Sequence, residues 1–206
     1  MAEFDYSGWL GKNSGDTRKT IQDCIRRKEF EWSEAFFLNV LKSPRNKMES
    51  YWSVIALRDC GGIQSIEALK QECFSRKEDT QACAVLTLAR ISGAKESAFY
   101  GSLLNDKKFR MKSYAAIAVY LVADESAIDA VFQFLDRRLP RCVRDLNLGD
   151  SIILFKYLEK YLDNVPGIFD YLSKKRRILM KLNSSEQNIL SSNTPAIAQF
   201  VFEKHA

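Results

Sequence analysis

Tyr51-Trp52-Ser53-Val54-Ile55-Ala56-Leu57-Arg58-Asp59 decides the fold, because two later stretches restate it. They are Ala84-Val85-Leu86-Thr87-Leu88-Ala89 and Lys112-Ser113-Tyr114-Ala115-Ala116-Ile117-Ala118, at a spacing of 31 to 32 residues. Val54, Val85 and Ile117 fall in one column, with Leu57, Leu88 and Tyr120 three positions on. That recurrence is the period of a helix, and strand-like alternation is nearly missing from the chain. A second helical pattern follows each stretch, in which Ala68, Phe99 and Val131 correspond, followed by Leu69, Tyr100 and Phe132. Small residues Ser53, Ala84 and Ala116 stand where two helices must approach closely, and the turn column holds Gly62, Gly93 and then Asp124 or Glu125. One helix pair buries its apolar face poorly, whereas stacked pairs share a continuous core. The expected fold is all-α, a superhelix (solenoid) of stacked antiparallel helix pairs.

These segments resemble the short HEAT-like repeat of the phycobilin lyase type. The closest resemblance is Leu104-Asn105-Asp106 followed by Lys112-Ser113-Tyr114-Ala115-Ala116, which is similar to that family's pattern of an aspartate, a short gap, a basic residue and Ala-Ala. Such repeats serve scaffolds, inhibitors, lyases and a few DNA-binding enzymes, so the resemblance implies an architecture before a function. In size and plan the chain is also similar to bacterial immunity proteins of HEAT-like type, which neutralise a cognate toxin. Base-excision chemistry of HEAT-like DNA glycosylases and handling of a linear tetrapyrrole are the other implied activities.

Outward from the repeats, residues 1–15 carry three glycines and no period and read as an N-terminal arm. Residues 16–47 read as capping helices, one behind Asp16 with Ile21, Cys24 and Ile25, the next behind Ser33 with Phe36, Phe37, Val40 and Leu41. Pro44 suits the first turn of the helix that follows, and Gly61-Gly62 ends that helix. The repeats occupy 48–139. Residues 140–206 read as a C-terminal helical cap, with helices from Asp150 or Ser151 to Leu162, from Pro166 to Lys181 and from Thr194-Pro195 onward.

The 206 residues are 46% hydrophobic and 28% charged, with nine Gly and four Pro, which bounds the chain to one compact domain or a short repeat array. A single histidine, His205, leaves no Ser-His-Asp or Cys-His pairing and no multi-histidine metal site, and no cofactor is expected. Five cysteines (Cys24, Cys60, Cys73, Cys83, Cys142) form an odd set with no C-x-x-C spacing, as expected of buried free thiols. The longest apolar run, Tyr114 to Ala123, is half of what a bilayer span needs, and the acidic N-terminus is unlike a signal peptide; a cytoplasmic, non-membrane protein is expected. Gly11-Lys12 lacks the P-loop's earlier glycine and following hydroxyl, for Tyr6 and Asn13 stand there. Phe4, Tyr6 and Trp9 are expected to staple the arm to the helices.

Paired acids such as Asp145 with Asp150, or Asp124 with Glu125, read as helix caps and solvated residues rather than as a general acid and base. The net charge is +5, yet residues 48–139 carry twelve basic and twelve acidic side chains and are neutral. Two basic clusters lie beyond or at the edge of that section: Arg137, Arg138, Arg141 and Arg144, and Lys174, Lys175, Arg176, Arg177 and Lys181. They are candidate anion-docking groups, or cations complementing helix C-termini. The polar faces of the second helices, expected to line the concave side, offer Gln64, Glu67, Gln71, Lys95, Glu96, Asp129, Gln133 and Asp136 as a partner-binding surface. Together these readings point to a non-enzymatic protein that captures a protein partner, a bacterial toxin being the implied example. Nucleic-acid binding is the alternative, and a phosphate-tracking solenoid would concentrate its cations on one face.

Overall fold

A computed structural model describes residues 33–44 and 47–203, and among these every regular element is a helix. The arm, the helix expected behind Asp16, the Gly11-Lys12 pair and His205 lie outside the described residues. The chain divides into two compact units after Gly93.

In the first unit, α1 (Ser33–Lys42) packs on α2 (Lys47–Cys60), α2 packs on α4 (Glu78–Ser92), and α3 (Ile66–Glu72) packs on both α2 and α4. α2 begins at Lys47, so Pro44 stands before it rather than in its first turn. Gly61 ends α2 as expected: its N–H donates to Leu57 at 2.7 Å, and a Cβ there would lie 2.5 Å from the same carbonyl oxygen. The next helix start is capped from outside. Glu34 of α1 accepts the Gly62 N–H at 2.6 Å and the Ser65 hydroxyl at 2.7 Å, satisfying one backbone and one side-chain donor at that helix start. Thr87 of α4 donates to the Val54 carbonyl of α2 at 3.3 Å.

The second unit holds α5 (Ser97–Asn105), α6 (Lys112–Val122), α7 (Ile128–Asp145), α8 (Ser151–Lys160), α9 (Gly167–Leu179), α10 (Ser184–Asn193) and α11 (Pro195–Phe202). α6 packs on α5 and α8, while α7 packs on α5, α8 and α9. First helix therefore meets first helix, and second helix meets second helix. Gly101 allows α5 to approach α7 closely, since a Cβ on it would lie 3.0 Å from the Cβ of Ala130. Tyr161 of α8 donates to the Ala123 carbonyl at 2.9 Å, and the Tyr157 hydroxyl donates to the Asp124 carbonyl, pinning α8 to the turn after α6. At the far end α11 packs on α8, α9 and α10, and Glu159 of α8 accepts the N–H groups of Ala196 and Ile197 at 2.7 and 3.3 Å.

Burial corrects the register of the third copy. The fully buried positions are Val54, Val85 and Ala116, then Leu57, Leu88 and Val119, so the step is 31 residues each time. Ile117 and Tyr120, one position later, are only half-buried. The second helices agree, with Leu69, Tyr100 and Val131 buried in one column and Cys73, Leu104 and Leu135 in another. Ala68, Phe99 and Phe132 are half-buried. The turn column is regular too: Gly62, Gly93 and Asp124 each precede or open a short 3₁₀ turn at the start of the second helix. Gly93 has φ 55°, whereas Asp124 is extended and caps its turn with its own carboxylate.

The buried pattern of α6, Ala115, Ala116, Ala118 and Val119, returns in α8 as Leu154, Phe155, Tyr157 and Leu158. The interval is longer because α7 runs on through Pro140 to Asp145. Pro140 is exposed, and the buried stripe Ile128, Val131, Leu135, Leu139 and Cys142 holds the helix together across it. α7 closes on Leu146 at φ 52°, where the Asn147 N–H reaches the Cys142 carbonyl at 3.0 Å. α10 had no clear sequence signal, since Glu186 and Leu190 are its only buried residues.

Candidate functional site

α7 is the longest described helix, and its C-terminal half is flanked by two grooves. The stripe named above faces the core. Phe134, Arg137, Arg138 and Arg141 turn to one side, where they meet Leu104, Asn105, Asp106 and Lys107 at the α5–α6 corner, together with Lys112 and Asp150, around a groove of about 370 Å³. Asp136 and Pro140 turn to the other side and, over the buried Leu139, line a groove of about 380 Å³ with Lys174, Lys175, Arg177, Ile178 and Lys181 of α9 and its end.

The first groove has a built wall. Lys112 donates from Nζ to the Leu103 carbonyl at 2.6 Å and to the Asp106 carbonyl, closing the corner between α5 and α6. Burial lowers the pKa of this ammonium, partly offset by the Asp106 charge. The aspartate, the gap and the basic residue before Ala-Ala thus act on the backbone of the corner, with Asp106 also accepting the Lys108 N–H at 2.6 Å. Asn105 donates to the Ala130 carbonyl at 2.9 Å and accepts from Arg137, so that guanidinium is held over the groove.

Of the candidate anion-docking cations, Arg137, Arg138 and Arg141 line the first groove, and Lys174, Lys175, Arg177 and Lys181 the second. Lys175 is paired with Asp136 at 2.9 Å. The other two line neither groove. Arg176 donates to the carbonyls of Val201 and Glu203 at 2.9 and 2.6 Å, capping the end of α11, and Arg144 pairs with its exposed neighbour Asp145 at 2.9 Å. The hydrogen bond from Arg144 holds the Asp145 carboxyl below its ordinary pKa.

The candidate partner-binding row is divided between the units. In the first, Gln64, Glu67 and Gln71 are exposed, and Glu67 pairs with Lys70 at 2.9 Å. In the second, Lys95, Asp129 and Gln133 are exposed and Glu96 is half-exposed, while Asp136 is tied down by Lys175 and by the Tyr171 hydroxyl at 3.0 Å. Asp124, one of the paired acids, accepts the Ser126 N–H at 3.0 Å and its hydroxyl at 2.6 Å, which lowers its pKa. It is a helix cap, as read.

Lys107, Lys112, Asp106 and Asp150 join the first groove although no spacing in the sequence marks them as neighbours of the arginines, whereas Phe134 shares one helix face with Arg137, Arg138 and Arg141. Only the packing of α5 against α7 brings them together. Among the described residues no group of three or more His, Cys, Asp or Glu is placed to hold a metal ion, and no helix is long and apolar enough to cross a membrane. Comparison with family models, curated proteins and solved structures gives no match to this chain.

Proposed function

We propose that this chain is a cytoplasmic HEAT-like α-solenoid that captures a protein partner and catalyses no reaction, in the manner of an immunity protein neutralising a cognate bacterial toxin. The observation that carries the reading is the side-by-side packing of the successive second helices α5, α7 and α9. Most of the exposed side chains of α7 and α9 are polar or charged, α5 adds Ala98 and Ser102, and each helix is anchored by its neighbours, so they form a preformed surface broad enough for protein recognition. The HEAT-like assignment rests on the 31-residue step in burial and on first helix meeting first helix within each unit.

The test is affinity capture with the tagged full chain from a lysate of the source cells, with mass spectrometry of what is retained. One protein held in stoichiometric amount is the expected result. Retention should be lost when Arg141 and Lys174, on α7 and α9, are both changed to Glu, and unaffected by Lys156→Glu on α8. A second reading, nucleic-acid binding, draws on the cations of the two grooves. Duplex DNA binding measured at two salt concentrations separates them, for phosphate contacts give a steep salt dependence.

A further inference from the structure

We propose that the groove between α7 and the α5–α6 corner takes an acidic, carboxylate-rich segment of the partner, an inference that rests on the protein-capture reading above. Arg137, Arg138, Arg141 and Lys107 line this groove of about 370 Å³ together with the half-buried Phe134, over the buried Leu104. Arg137 is already held by Asn105, which is itself bonded to the Ala130 carbonyl at 2.9 Å. A planar guanidinium fixed in advance loses little freedom when it forks onto a carboxylate, and such charge-assisted pairs are stronger than neutral ones.

The mixture of groups favours a peptide over a polynucleotide. Asp106 and Asp150 stand in the same wall as the cations. A phosphodiester chain brings a negative charge with every nucleotide and meets those acids at any register, whereas a peptide spaces its carboxylates and lays neutral backbone or an apolar side chain between them. Size points the same way, since a single-strand track typically engages about 4–16 nucleotides. A groove of about 370 Å³ suits a few side chains.

The experiment is fluorescence anisotropy of the full chain with a labelled Glu-rich peptide containing interspersed leucines, beside a Lys-rich peptide of equal length and a single-stranded oligonucleotide of equal charge. The acidic peptide binds, the Lys-rich one does not, and binding weakens as salt rises. Arg138→Glu with Arg141→Glu raises the Kd by about tenfold or more, equivalent to about 1.4 kcal/mol. The milder Arg138→Ala with Arg141→Ala, whose thermal unfolding is checked alongside, moves it in the same direction. Peptide binding unchanged in both variants overturns the proposal. No peptide binding, while the wild-type chain still captures a protein, overturns the groove's assignment alone; tighter binding of the oligonucleotide than of the peptide overturns both this inference and the reading beneath it.

Discussion

Asp136 accepts the phenolic O–H of Tyr171 at 3.0 Å, and that bond ties α7 to α9 beside the stacked rings of Phe132 and Tyr171, whose centroids are 4.1 Å apart. Lys175 closes the same carboxylate at 2.9 Å. An exposed acid that reads from sequence as partner-facing therefore also bridges two second helices. Tyr171→Phe is expected to lower unfolding free energy by about 1 kcal/mol, the worth of one net hydrogen bond, with the stacking retained. Urea titration checks it; an unchanged midpoint would mean that the carboxylate is solvated and free for a partner.

The approach of α5 to α7 depends on Gly101. Gly101→Val places a branched side chain against Ala127 and Ala130, whose Cβ atoms stand 3.3 and 3.0 Å from the added Cβ, and costs about 1–3 kcal/mol by overpacking. Gly167→Ala, at the first turn of α9 with nothing within 4 Å, is neutral or raises stability by about 0.5 kcal/mol. Thermal unfolding of the two variants side by side reads the contrast.

The 31-residue register separates Ala116 from Ile117. Ala116→Leu forces a larger side chain into a fully buried site and costs about 1–3 kcal/mol. Ile117→Ala costs about 1 kcal/mol, below the roughly 2–5 kcal/mol of truncating a fully buried isoleucine. Chemical denaturation decides the register, and the opposite order of effects would restore Ile117 to the core.

The helices and their pairing were legible because a 3.6-residue apolar stripe survives any local detail, as in Ile128, Val131, Leu135, Leu139 and Cys142. Register was harder. Ile117 and Tyr120 are bulkier than Ala116 and Val119, and bulk stands in for burial until packing shows that α6 fills its contact with alanines. Asp124 hid the third turn because a capping carboxylate does there what glycine does at Gly62 and Gly93. The cations were legible as clusters, but their roles were not: Arg176 and Arg137 look alike in sequence, and only the fold sends one to the end of α11 and the other over a groove. Phe134 shares a helix face with the groove's arginines, but Lys107 reaches that groove through a tertiary contact that leaves no local pattern.

Stability should fall in alkaline solution. Burial first, then the Glu72 charge, pushes the Cys73 thiol up from its ordinary 9.0 to about 12, and burial pushes up the Tyr171 phenol as well. Both groups are neutral in the fold, so the unfolded chain releases these protons first. The stabilisation is complete below pH 9 and is lost as pH rises towards 12, at about 1.4 kcal/mol per pH unit for the buried Cys73 thiol. Urea midpoints at pH 8.5 and 10.5 should differ, and the difference should shrink in Cys73→Ala relative to its own value at pH 8.5. A flat profile would show that the thiol ionises within the fold.

The central claim, that the second-helix face of α5, α7 and α9 holds a protein, is met most directly by site-specific photocrosslinking in the source cells. A photoreactive residue replaces either Arg141 on α7 or Leu121, an exposed residue of the first-helix layer on α6. One discrete protein adduct is expected from position 141 and none from position 121. An adduct from position 121 with none from position 141 would contradict it.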